Sequence, residues 1–369
     1  MALALHSAIG NKNPRFCYHH DEMNRAPSIG VVLPTLNCAH LLPDHLDSMQ
    51  PWLDLVEQIV VVDSHSEDGS SEMLQKRLAG HPRVTFHQRP RGLYQSWNFG
   101  ISQLETDFTY ISTVGDSITR PGLEHLRAVA TDLRADVVVS KPAFIEENGE
   151  PVQNGPRWPI DDVVEALQLG APCLLDQWTL CLFLLENPVD AILGSSASNL
   201  YLTQLLKSRP FPTEYGTVGD GAWGFANVFH YRLAVTPTQL STFRRHEKSY
   251  AAATYAVDEL RENLFDLLVR SFESVMTANP DLNTQADRLN YSHLIKTVEQ
   301  RMLWQKRLEG CRKQPVPWAL NPWAWCCRRM RNSFRSQASH LRTQALRVMD
   351  ATCQSTSHHL PPENSRVPR

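Results

Sequence analysis

Short, almost wholly apolar runs alternate with segments of helical periodicity through the first 140 residues. Residues 28–36 (SIGVVLPTL) are β-branched at their centre and break at Pro34, which predicts a buried strand followed by a loop. Leu42, Leu46, Met49 and Leu53 recur at spacings of four, three and four, which predicts a helix over 41–55. A second apolar run, 58–62 (QIVVV), ends in the polar loop Asp63-Ser64-His65-Ser66-Glu67-Asp68-Gly69. Helices are predicted over 71–80, 93–104 and 121–134, and strands over 84–87, 108–112 and 136–140. Strands apolar on both sides, alternating with helices, are the pattern of βαβ units. The expected fold class is α/β: a mostly parallel, Rossmann-like sheet sandwiched by helices, with a C-terminal helical extension.

Beyond residue 140 the pattern loosens. Helices are expected over 161–169, 198–207 and 221–230, and a strand over 232–236. From about 255 the chain turns helical, with Leu260, Leu264, Leu267, Leu268 and Phe272 at helical spacings. The reading divides the chain into an N-terminal extension (1–26), an α/β domain (27–255), a helical region (256–350) and a disordered tail (351–369).

Composition narrows the function classes. Of 369 residues, 42% are hydrophobic and 20% charged, which supports a sizeable core. The formal net charge of −3 argues against a nucleic-acid binder. Charge is uneven, however: residues 301–369 carry 13 Lys and Arg against 3 Asp and Glu, so the body is acidic and the end basic. The eight cysteines form no CxxC pair and no zinc spacing, the first 20 residues do not read as a signal peptide, and no apolar run reaches 18 residues. The expectation is a soluble protein of the cytoplasm with free thiols.

In open sheets of this kind ligands bind beyond the carboxyl ends of the strands. That singles out Thr35 and Asn37, Asp63 to Asp68, and Asp116. No Gly-rich dinucleotide fingerprint follows the first strand and no phosphate-binding P-loop occurs, which lowers the case for a dehydrogenase or an ATPase.

Four pieces in register, SIGVVLPTLN, QIVVVDSHSEDGS, RGLYQSWNFGI and YISTVGDSI, resemble the nucleotide-binding half of the family 2 glycosyltransferases, inverting enzymes of GT-A fold. A weaker likeness continues through VGDGAWGF to STFRRHEKSY. The resemblance implies a nucleotide-sugar donor, a saccharide or lipid-linked acceptor, and a place in polysaccharide or glycolipid synthesis. It sets Asp63 against the nucleobase, with Thr35 and Asn37 lining the same pocket. Asp68, Gly92 and Asn98 join the donor site, and Tyr94 or Trp97 faces the donor. The family's acidic D-x-D type motif is reduced here to Thr113-Val114-Gly115-Asp116, so Asp116 alone, with His246 as a second ligand, is left to hold Mn²⁺ or Mg²⁺. Arg244 or Arg245 is an alternative partner for the leaving diphosphate. The family's Glu-Asp pair before an acceptor-side helix reads Gly219-Asp220 here, which leaves Asp220 as the catalytic base and Glu214 as its substitute. Asp68 and Asp220 both also suit helix N-caps. An inactive relative that binds sugar or scaffolds a complex, and a nucleotidyltransferase, are the competing functions.

A further block stands apart. Trp318, Trp323 and Trp325 precede Met330, Phe334, Ala338, Leu341, Ala345 and Val348 at helical spacings, flanked by Arg328, Arg331, Arg335 and Arg342. This basic amphipathic pattern fits either peripheral contact with the inner face of an anionic membrane or a helix packed on protein.

Overall fold

A computed structural model of the chain describes residues 25–153, 155, 158–186, 192–245, 257–312 and 321–357. The expected N-terminal extension, apart from Arg25 and Ala26, lies outside these residues, as do His246 and Trp318. Two compact units divide the described chain, one over 25–278 and one beginning at 279.

The first unit opens as the hydrophobic pattern requires. Strand β1 (Ile29–Thr35), helix α1 (Leu42–Met49), β2 (Gln58–Asp63), α2 (Ser70–Leu78), β3 (Val84–Gln88), α3 (Leu93–Gln103) and β4 (Phe108–Ile111) follow in order. After them come β5 (Ser117–Ile118), α4 (Arg120–Asp132), β6 (Val137–Ser140), β7 (Ala143–Ile145), α5 (Pro159–Ala166), β8 (Cys173–Leu175) and α6 (Gln177–Glu186). The unit closes with β9 (Asn199–Leu202), α7 (Thr203–Ser208), α8 (Gly219–Ala226), β10 (Leu233–Thr236), β11 (Ser241–Arg244) and α9 (Val257–Ala278). The main sheet has the order β3-β2-β1-β4-β9-β6-β10-β8. Its first four strands run parallel, with β1 between β2 and β4. Leu33, Val31, Ile59, Val62 and Phe108 are solvent-free, which accounts for strands without polar alternation. Helix α3 crosses β1 and β2, and Gly100 makes the close approach: a Cβ there would stand 2.5 Å from Val32.

Two strands of the main sheet differ from the expected pattern. The segment read as one helix over 198–207 is a 3₁₀ turn, then β9, then the short α7. Strand β9 inserts antiparallel between β4 and β6. Burial of Leu200 and Tyr201 in the sheet outweighs the helical spacing of the leucines around them. Between residues 173 and 185 the chain divides at Asp176, which accepts the Thr179 amide at 3.0 Å and caps α6; β8 before it pairs antiparallel with β10.

A second, three-stranded sheet of order β5-β11-β7 lies within the same unit. It matters for the site because β5 begins one residue after Asp116 and pairs antiparallel with β11, which carries Arg244.

The second unit contains α10 (Asp281–Arg288), α11 (Tyr291–Arg312) and α12 (Pro322–Ser357). Helices α11 and α12 pack on each other, and Leu308, Cys311, Ala324 and Cys327 form a core cluster. Ala338, Leu341 and Ala345 are buried, so half of the apolar stripe foreseen for membrane contact is already covered by protein. Helix α12 continues to Ser357, into the segment read as a tail; no proline or glycine interrupts the chain between Ala351 and Ser357. No described helix is long and apolar enough to cross a membrane.

Candidate active site

The strand-end residues come together in a hydrogen-bonded cluster at the carboxyl ends of β1 and β2. Asp63 is 2% exposed and accepts Thr35 Oγ1 at 3.1 Å, the Ser66 amide at 3.0 Å and Ser66 Oγ at 2.6 Å. Asn37 bends the chain here with a φ of 46°, donating its amide to Ser66 Oγ at 2.9 Å and accepting the Glu67 amide at 2.9 Å. Asp68 accepts the Ala39 amide at 2.8 Å and the Ser70 amide at 3.1 Å. Burial pushes the Asp68 carboxyl up, but its bonds to Ser70 and Ala39 outweigh that and hold it below the usual carboxylate range. Asp68 thus ties the loop after β1 to the start of α2, whose preceding Gly69 has a φ of 89°.

Asp116 stands beyond the end of β4, the next strand over. Its turn needs Gly115, whose φ of 103° excludes the side chain an acidic motif would place there without strain. Asp116 Oδ1 accepts the Arg244 amide at 2.9 Å, while Oδ2 accepts Thr113 Oγ1 at 3.1 Å and Ser195 Oγ at 3.4 Å. Burial raises this carboxyl to about 7. The Arg244 guanidinium does not meet Asp116; it donates to the Gly115 carbonyl at 3.3 Å and the Glu147 carbonyl at 2.6 Å.

His45 of α1 was not visible as a site residue in the sequence. It is 3% exposed, with Nδ1 2.9 Å from the Asp116 carbonyl and Nε2 3.0 Å from Ser112 Oγ. A carbonyl only accepts, so Nδ1 carries the proton and Nε2 accepts from Ser112. Burial lowers His45 to about 4, which keeps it neutral and the loop pinned from α1. Its signal in the sequence is a polar residue three positions after Leu42, on the buried face of α1. Ser195 gave no signal at all.

Helix α3 begins beside Asp63, because Ser96 Oγ lies 3.2 Å from Ser64 Oγ. Gly92 opens the helix, its carbonyl accepting the Ser96 amide at 3.0 Å. Asn98 points elsewhere: its amide donates to the Phe211 carbonyl at 2.8 Å and accepts the Phe211 amide at 2.9 Å. Tyr94 and Trp97 are buried, in edge contact with each other and packed against Phe211. Tyr94 donates to Asp220 Oδ1 at 2.9 Å.

Asp220 lies in the first turn of α8 and is half-buried. Oδ1 also accepts the Gly221 amide at 2.8 Å, and Oδ2 has no hydrogen-bond partner among the described residues. Burial raises the carboxyl above its ordinary value, and the Tyr94 bond partly offsets this. Glu214 is exposed.

A divalent cation finds one carboxylate here. Among the described residues no group of three His, Cys, Asp or Glu side chains gathers. Asp116 Oδ1 accepts one bond and keeps a lone pair, so Asp116 fits such an ion as a single ligand, the others coming from substrate phosphates and water. His246, the expected second ligand, is outside the described residues.

Residues 30–183 match the family model described as Glycosyl transferase family 2. A curated relative, chondroitin synthase of Escherichia coli, is 27% identical over 150 residues. That match covers 37% of this chain and only 20% of the relative, so the chain spans about a fifth of the length of that protein. Among solved structures, S. aureus TarS 1-349 in complex with UDP-GlcNAc matches with a TM-score of 0.50 and 16% identity, over 88% of this chain and 92% of that one. The likeness to TarS shows the shared fold: a large sheet flanked by helices.

Proposed function

We propose that the chain is an inverting glycosyltransferase that moves a sugar from a nucleotide-sugar donor to a hydroxyl of a saccharide or lipid-linked acceptor, in the cytoplasm, in polysaccharide or glycolipid synthesis. The match to the family 2 model supports the reaction class, and the curated relative's name supports a saccharide product. The observation that carries the reading is Asp220: one carboxylate oxygen anchored, the other without a hydrogen-bond partner among the described residues, and an affinity for protons raised by burial.

In this reading the cluster of Thr35, Asn37, Asp63 and Asp68 receives the nucleotide at the ends of β1 and β2, with Asp63 on the base. Gly92 and Asn98 shape α3 beside it. Asp116 would hold Mn²⁺ or Mg²⁺, which would supply positive charge against the leaving diphosphate. Arg244, with its guanidinium fixed against the Gly115 carbonyl, adds positive charge at the same loop. Asp220 Oδ2 takes the proton of the acceptor hydroxyl. The freed oxygen bonds to the anomeric carbon, and the bond from that carbon to the diphosphate breaks with its electron pair on the nucleotide.

The test is nucleotide release from a panel of UDP-, GDP- and dTDP-sugars, with and without Mn²⁺, beginning with UDP-GlcNAc. Release from one donor that depends on added saccharide is the expected result. Thermal stabilisation by a donor without any release would make the chain an inactive sugar-nucleotide binder.

A further inference from the structure

The assignment of Asp220 as base leaves two features unexplained: why the preceding position is glycine, and why a tyrosine is buried beside a carboxylate. Gly219 has φ −63° and ψ −29°, ordinary helical angles that any residue adopts. Its reason is contact. A Cβ at 219 would lie 2.5 Å from two atoms of the Tyr94 ring and 2.6 Å from the Pro212 carbonyl. The acidic side chain expected at this position is therefore replaced by the face of Tyr94.

Resting on the reading of Asp220 as the base, we propose that Tyr94 is its positioning residue. The phenol fixes Oδ1 and leaves Oδ2 to meet the acceptor. Tyr94 Oη lies within hydrogen-bond distance of two acceptors, Asp220 Oδ1 at 2.9 Å and the Thr217 carbonyl at 3.0 Å, and it has one proton to give. With Asp220 ionised, that proton goes to the carboxylate, the stronger acceptor. When Oδ2 has taken the acceptor's proton, the phenol turns to Thr217 and the carboxyl is no longer held as an anion. Its ring cannot drift, because Tyr94 is 2% exposed and wedged between Trp97, with centroids 5.0 Å apart, and Phe211 at 5.8 Å. The bracket from Asn98 to the Phe211 backbone completes the block. Other titratable groups near Asp220 among the described residues come from β9 and α9. Tyr201 of β9 faces it, and α9, packed on α8, brings Asp266 and Arg270 near Tyr215 on the preceding loop.

The experiment uses the full chain labelled with ¹³C at aspartate carboxyls, the Asp220 resonance being assigned by its loss in Asp220→Asn. In Tyr94→Phe its titration midpoint should rise by about one pH unit, the loss of one charge-assisted hydrogen bond. The acid limb of kcat for nucleotide release from UDP-GlcNAc, or from whichever panel donor is active, should rise with it while KM for the donor stays unchanged. Gly219→Ala keeps the phenol but pushes the ring aside, so it should shift both in the same direction and serves if Tyr94→Phe folds poorly. An unmoved midpoint in the folded variants overturns the role of Tyr94. A midpoint that moves while the acid limb stays put overturns Asp220 as base and leaves its link to Tyr94 standing.

Discussion

At the scale of single residues the site is built from carboxylates doing different work in different surroundings. Asp63 is both a ligand candidate and a junction: three donors end on it. Asp63→Ala strands the Thr35 hydroxyl and the Ser66 groups, so it should lower stability by about 1–3 kcal/mol in urea melts. It should also weaken UDP binding by calorimetry, and unchanged affinity in the folded variant would take Asp63 out of the nucleotide site. Asp220 is the opposite case, with one oxygen uncommitted among the described residues. Asp220→Asn keeps the shape but cannot take a proton, and kcat should fall by about 10²-fold or more at similar donor affinity. Retention of most of the wild-type kcat would make Asp220 a helix-capping residue. The pH dependence has a definite sign. A base must be ionised to act, and burial raises Asp220, so the rate should climb with pH along a limb lying above the ordinary carboxylate range.

At the scale of elements, α3 carries the most consequence, because it touches three parts of the site. Ser96 meets the end of β2, Tyr94 meets α8, and Asn98 brackets Phe211. Asn98→Ala leaves a backbone N–H and C=O of Phe211 without partners, at a cost of about 1–3 kcal/mol. The Phe211 ring then loosens under Tyr94, so the variant should lose kcat as well as stability; a variant with lowered melting temperature and unaltered kcat would separate α3 packing from catalysis. The sequence made the strands and helices of the first half legible, since buried parallel strands are apolar throughout and end in the polar groups that matter. Asp63 and Asp116 were placed at strand ends that way. The pairings were not legible. Tyr94 with Asp220 spans 126 residues, Asp116 with the Arg244 amide 128, and Ser195 with Asp116 79. No local spacing encodes such contacts; they follow from strand order. The insertion of β9 between β4 and β6 is the same kind of fact, a tertiary choice made by a four-residue run that locally resembles a helix.

At the scale of the whole molecule the question is where the chain works, and charge is the guide. The last 69 residues are basic while the rest is acidic. The structure changes which surface of α12 is available. Ala338, Leu341 and Ala345 face protein, so they offer no burial in lipid. Exposed instead are Trp323 and Trp325, 51% and 62% accessible in the first turn of α12, with the Arg329 guanidinium 5.5 Å from the centre of the Trp325 ring. Arg335 and Arg347 continue along a polar face with Asn332, Ser336, Ser339 and His340. Tryptophan beside arginine suits the headgroup level of an anionic bilayer, where each cation contributes roughly 1 kcal/mol and the ring buries its apolar body. The full chain should therefore sediment with phosphatidylglycerol vesicles and not with phosphatidylcholine vesicles. Raised salt should weaken binding by screening the charge, and Trp323→Ala with Trp325→Ala should weaken it even at low salt. A face used for self-association behaves differently. The double variant would then lower the mass in solution, and vesicle binding would be absent from the wild type. Failure of the full chain to sediment with anionic vesicles at low salt would end the membrane assignment.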